Sequence, residues 1–177
     1  MEKSLEERIR HAVDEGRKAR SEYYDVIDLP NEQQLGAPAP NELIIELETR
    51  LGKKLPPSYR VFLSLYDGWR MVDGAMDLLS IGEMLEGARE KKISEWQQKA
   101  LVEGDLVAAK SLVIGVAEVT PTKLLLNPEI VDDQGEWIVV QHHIVEECTY
   151  PNFLVWLEES IEEFKELIKQ EKEDGFK

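Results

Sequence analysis

Two short stretches hold most of the residue types that could do chemistry. His142 and His143 stand together, followed by Glu146, Glu147 and Cys148. An imidazole beside carboxylates suits metal ligation or proton transfer near neutral pH. Both histidines lie in an apolar, β-branched run, residues 137–145 (WIVVQHHIV), that reads as a strand, and successive strand side chains point to opposite faces. They therefore cannot grip one ion together without distorting the strand. His142 shares a face with Ile138, Val140 and Ile144 and reads as a core histidine with its ring hydrogen-bonded. His143 with Glu146 or Glu147 is the remaining candidate for a metal or an acid–base pair, and no third ligand accompanies it. Cys148 is poorly placed as a nucleophile, because the neighbouring glutamates hold a thiol protonated. As the single cysteine it excludes an internal disulfide and a multi-thiolate zinc site, and it fits a reducing compartment.

The second stretch, Gly104 to Ser111 (GDLVAAKS), has the outline of a phosphate-binding loop with Ala109 where the second glycine belongs. Such a loop works by following a strand and opening a helix whose amides cradle phosphate, whereas Lys110 and Ser111 run into a strand. No Ser/His/Asp order, HExxH or dinucleotide fingerprint is present. The expectation is a protein with no catalytic residues, no cofactor and no metal.

Charge says more. The chain has 177 residues, with 36 acidic against 21 basic groups and a net charge of −15, so it repels phosphate backbones and direct nucleic-acid binding is not expected. Residues 127–177 carry 14 acidic and 4 basic groups, two thirds of the excess. Within them Asp132, Asp133, Glu136, Glu158, Glu159, Glu162 and Glu163 are the candidate contacts for a protein partner. No stretch approaches 18 uninterrupted apolar residues, and the start MEKSLEERIR lacks the basic and apolar regions of a signal peptide, so the reading is a soluble, cytoplasmic protein.

The elements that must position these residues follow from periodicity. Ser4 and Glu7 form a capping box that opens a helix over Leu5 to Val26 with a thin apolar stripe of Leu5, Ile9, Ala12, Val13, Gly16 and Ala19. Residues 29–40 (LPNEQQLGAPAP), with three prolines, read as a linker, so residues 1–40 form an N-terminal helical appendage to a domain over 41–177. Asn41 caps a helix that Gly52 stops, and Pro56 and Pro57 open another carrying Tyr59, Phe62, Leu63 and Tyr66. A short run, Met76 to Ile81, precedes a polar amphipathic segment from Gly82 to Leu101. Strands are expected over 112–119, 123–126 and 137–145, with a turn at Asp132 to Gly135. Pro151 and Asn152 start a closing helix with Phe153, Leu157, Ile161, Phe164 and Ile168 on one face and glutamates on the other. The order indicates an α+β domain.

Leu-Pro-x-x-Tyr-x-x-Phe-Leu-x-x-x-x-Gly-Trp over Leu55 to Trp69, DLLSI from Asp77, IGV from Ile114, Asn127-Pro128, Gly135-Glu136-Trp137 and YPNFLVWLEE from Tyr150 together resemble the SUKH superfamily, and within it the SMI/KNR-like group of cell-wall assembly regulators and bacterial immunity proteins. The resemblance covers residues 41–168. It implies a central, mostly antiparallel sheet packed by helices, no family-wide catalytic residues, and for bacterial members the binding and neutralising of a cognate toxin domain. The alternative it carries is a regulatory or scaffold module on a housekeeping partner, with residues 1–40 as its candidate docking arm. The matched residues, among them Tyr59, Phe62, Gly68, Trp69, Phe153 and Trp156, are core, turn and cap positions that define a fold and not a site.

Overall fold

A computed structural model describes residues 3–73, 75–143 and 147–175. Its fold is α+β, built on one seven-stranded antiparallel sheet whose strands lie in chain order. The elements are α1 (Leu5–Val26), β1 (Gln34–Leu35), α2 (Asn41–Leu51), α3 (Pro57–Leu65), β2 (Trp69–Asp73), β3 (Met76–Leu78), α4 (Ile81–Leu85), α5 (Ala88–Glu103), α6 (Leu106–Lys110), β4 (Leu112–Ala117), β5 (Lys123–Val131), β6 (Trp137–His142), β7 (Glu147–Tyr150) and α7 (Phe153–Asp174).

The sheet is buried on both faces at its centre. Leu124 and Leu126 of β5 and Val139 of β6 join the main core, while Leu125, Val113 and Val140 point the other way onto Ile93 and Trp96 of α5 and Val107 of α6. A continuous Leu-Leu-Leu run is what a strand covered on both sides requires. In the main core, Tyr59 and Phe62 of α3 pack edge-on against Phe153 of α7 at 5.0 and 5.1 Å between centroids, and Trp156 stacks on Phe153.

The capping box of α1 forms as expected, with Ser4 Oγ accepting from Glu7 N–H and Glu7 accepting from Ser4 N–H. Ile9 and Val13 are fully buried, and α1 lies along α7. Arg20 binds the two helices to the sheet. Its guanidinium, 1% exposed, donates to Val72 O, to Gly16 O at 3.0 Å and to Ser160 Oγ at 3.1 Å, between the rings of Trp69 and Phe164. Burial lowers its pKa to about 10, so at neutral pH it is a buried cation held by backbone carbonyls and aromatic faces.

Four local readings change. Within the proline-rich stretch, Gln34 and Leu35 pair with Arg70 and Trp69 as an edge strand. Gly36 permits this, because a Cβ there would lie 2.1 Å from Asp67 O. Pro40, not Asn41, stands at the N-cap of α2, and Asn41 Oδ1 instead accepts from Arg60. The polar segment from Gly82 is two helices, α4 and α5, broken at Gly87, whose φ of 97° suits glycine. Trp69–Asp73 and Glu147–Tyr150 form strands although neither has a period-2 apolar signal of useful length. The expected continuation of β6 through Ile144 and Val145, and the pairing of His143 with Glu146, lie outside the described residues.

Candidate functional site

Seven carboxylates are the expected partner contacts, and the fold puts them in different situations. Asn152 Oδ1 accepts from Val155 N–H at 2.9 Å and opens α7. The helix buries Phe153, Leu154, Trp156, Leu157, Ile161, Phe164 and Ile168, which turns its glutamates outward. Glu158 pairs with Arg8 of α1 at 3.1 Å and Glu162 with Lys165 at 2.7 Å. Among the described residues, Glu159 and Glu163 have no ion-pair partner. Burial first, then the negative charges of Asp73 and Glu159, raise the Glu163 carboxyl above its ordinary value of 4.5. Arg20 lies near enough to oppose this, but its donors are directed elsewhere.

The other three carboxylates sit at the β5–β6 turn. Asp132 Oδ1 accepts from Gln134 N–H and Glu136 N–H, both at 2.9 Å, so this carboxylate builds the turn that Gly135 completes at φ 81°. Asp133 beside it is exposed. Glu136 must be corrected as a surface contact: it is 8% exposed and accepts from Ser58 N–H at 2.8 Å and Ser58 Oγ at 2.6 Å, capping the first turn of α3. Its desolvation raises its pKa despite the two bonds from Ser58. The expected set is thus two separate places, the outer face of α7 and the tip of a hairpin.

The histidines also separate. His143 Nδ1 lies 2.8 Å from Thr122 Oγ1, and its Nε2 lies 3.3 Å from Gln141 Nε2. His142 points to the opposite face, as strand alternation requires, onto the edge of Trp96 at 5.4 Å. There an open cavity of about 630 Å³ is lined by Trp96, Lys99, Asp105, Lys123, His142 and Glu147 among others. His142 Nε2 is 3.0 Å from Asp105 Oδ2 and 3.5 Å from Glu147 Oε1. His142 is thus hydrogen-bonded, as its face suggested, but at the rim of a pocket and not inside the core. Asp105 stands 37 residues upstream of it, and sequence spacing gives no sign that they meet. The one available clue is that Asp105 follows Gly104 as an N-cap type; it does cap α6, with Oδ1 accepting from Ala108 N–H at 2.9 Å. Arg20, the other residue that sequence reasoning missed, sits in a helix stripe where an arginine signals solvent.

The described residues form an α+β domain with a seven-stranded antiparallel meander and a closing Asn-capped helix. The chain belongs to the SMI1 / KNR4 family (SUKH-1), whose model matches residues 38–170. The family includes immunity proteins. Among curated proteins, none matches the chain. Within the described residues no helix is long and apolar enough to cross a membrane.

Proposed function

We propose that the chain is a non-catalytic immunity protein, which binds a cognate toxin domain in the cytoplasm and covers its active site. The observation that carries this reading is the outer face of α7, where Glu163 stands near both Asp73 and Glu159 and neither glutamate has an ion-pair partner among the described residues. Like charges held together oppose folding, and a surface that keeps them is suited to a cationic partner. A toxin that acts on nucleic acid needs a basic cleft, and carboxylates presented there stand where phosphates would lie. Membership of a family that contains immunity proteins supports the same reading.

The test is growth of cells expressing the toxin-like C-terminal domain encoded beside this chain, with and without the chain itself. Rescue together with a salt-sensitive complex is the expected result. A toxic domain that the chain neither rescues nor binds overturns the proposal. Deleting residues 1–40 does not test whether they serve as a docking arm, because the deletion removes Ile9, Val13 and Arg20 from the core.

A further inference from the structure

We propose that Asp105, His142 and Glu147 form a binding site for a divalent transition-metal ion of the zinc class. One ligand atom from each of the three residues lies within 4.8 Å of the other two. A tetrahedral ion with ligand bonds of about 2.0–2.2 Å needs ligand atoms roughly 3.3–3.6 Å apart. His142 Nε2 meets this closely, at 3.0 Å from Asp105 Oδ2 and 3.5 Å from Glu147 Oε1. An imidazole nitrogen with two carboxylate oxygens is a donor set that zinc accepts, and three protein ligands leave a fourth position open.

Two of the ligands are held before any ion arrives. Asp105 uses its other oxygen to cap α6 at Ala108, which fixes the carboxylate plane, and the His142 ring rests edge-on against Trp96. Glu147 is the cross-strand partner of His142, so the β6–β7 register brings it to the same face. A single imidazole N–H satisfies one carboxylate well. Asp105 receives it, and Glu147 is left at 3.5 Å with no closer donor among the described residues. A cation between the three groups would satisfy all of them. Around them the charges are mixed: Lys99 is 3.7 Å from Glu103, and Lys123 lies over the Trp96 ring at 4.5 Å. The ion would tie edge strand β7 to α6 through the end of β6.

The test is titration of the full chain, stripped with chelator, with ZnCl2, followed by calorimetry and thermal melting. One ion per chain and a melting temperature that rises with zinc are expected. Glu147→Gln, on an exposed strand position, is expected to weaken binding by about 10–100-fold, and His142→Gln by at least as much. Cys148→Ser, whose side chain lies on the other face of β7, is expected to leave it unchanged, as is His143→Gln, whose ring reaches the cavity wall but is engaged through Nδ1 with Thr122 Oγ1 at 2.8 Å. Absence of saturable binding, or binding that survives both Glu147→Gln and His142→Gln, overturns the proposal. Binding lost only in Cys148→Ser also overturns it, by assigning the ion to the thiol.

Discussion

Asp77 and Glu163 are both carboxylates near arginines, and the fold treats them oppositely. Asp77, at 7% exposure, accepts from Arg70 at 2.7 Å, Arg89 at 2.8 Å and Met71 N–H at 2.9 Å. Burial works to raise its pKa, but the Met71 amide and the two guanidiniums outweigh it and hold the group below its ordinary value. Glu163 has Arg20 nearby, but the guanidinium is committed to Val72, Gly16 and Ser160, so the carboxylate is left with Asp73 and Glu159 as its dominant charged neighbours. The difference lies in where the donors are aimed, not in how many cations are close. The charge of Asp77 is matched within the fold, whereas Glu159 and Glu163 on the last helix have no ion-pair partner among the described residues.

The largest effect should come from breaking the satisfied side. Asp77→Ala removes acceptors from two arginines and one half-buried amide and is expected to cost about 2–4 kcal/mol in a urea titration. Because the folded pKa of Asp77 is lowered, its contribution is present above the unfolded value near 3.8 and is lost as pH falls through the folded value. The gap between wild type and variant should therefore close in acid below about pH 4. A loss under about 0.5 kcal/mol at pH 7 would mean that Arg70 and Arg89 find equal partners in Glu83 and Glu118, and the contrast would fail.

Charge reversal on the other side should leave the fold alone. Glu159→Lys with Glu162→Lys is expected to keep the melting temperature within about 2 °C, since both positions are exposed. Association with the proposed toxin partner should slow by roughly tenfold at low salt, with the difference fading as salt screens the surface. An unchanged association rate at low salt would move the contact elsewhere, and the exposed Asp133 at the hairpin tip is the next position to reverse.

Much of this contrast could be read before folding. The acidic α7, its Asn152 cap and its apolar face follow from period and residue type, as do β4, β6, the Asp132–Gly135 turn and the first four residues of β5, whose continuation to Val131 carries no alternating apolar signal. What stayed hidden depends on distant partners. Glu136 looks like a surface acid until the β5–β6 hairpin sets it under the N-terminus of α3, 78 residues upstream. Arg20 lies on the face of α1 that packs against α7 and β2, where only the aromatic walls of other elements and the carbonyls of Val72 and Gly16 make an arginine tolerable. β1 and β7 are edge strands of two and four residues, too short for any periodic pattern to register. Asp105 meets His142 only because α6 folds back over the sheet.

The smallest effect separates stability from function most cleanly. The pKa of Glu163 is raised in the folded chain, by burial and then by Asp73 and Glu159. A carboxyl shifted this way adds stability below its unfolded value near 4.5 and loses that contribution as pH rises through the folded value, so at neutral pH it opposes folding. Glu163→Gln, which keeps shape and hydrogen-bonding capacity but no charge, should match wild type near pH 4. It should melt slightly higher, by a degree or two, at pH 7. If the same variant also associates more slowly with the toxin domain, the carboxylate is retained against the interest of the fold and for that of the partner. A variant that melts lower than wild type at pH 7 would mean that Arg20 and the Tyr150 hydroxyl together satisfy Glu163 after all, and the two regions would then obey one rule.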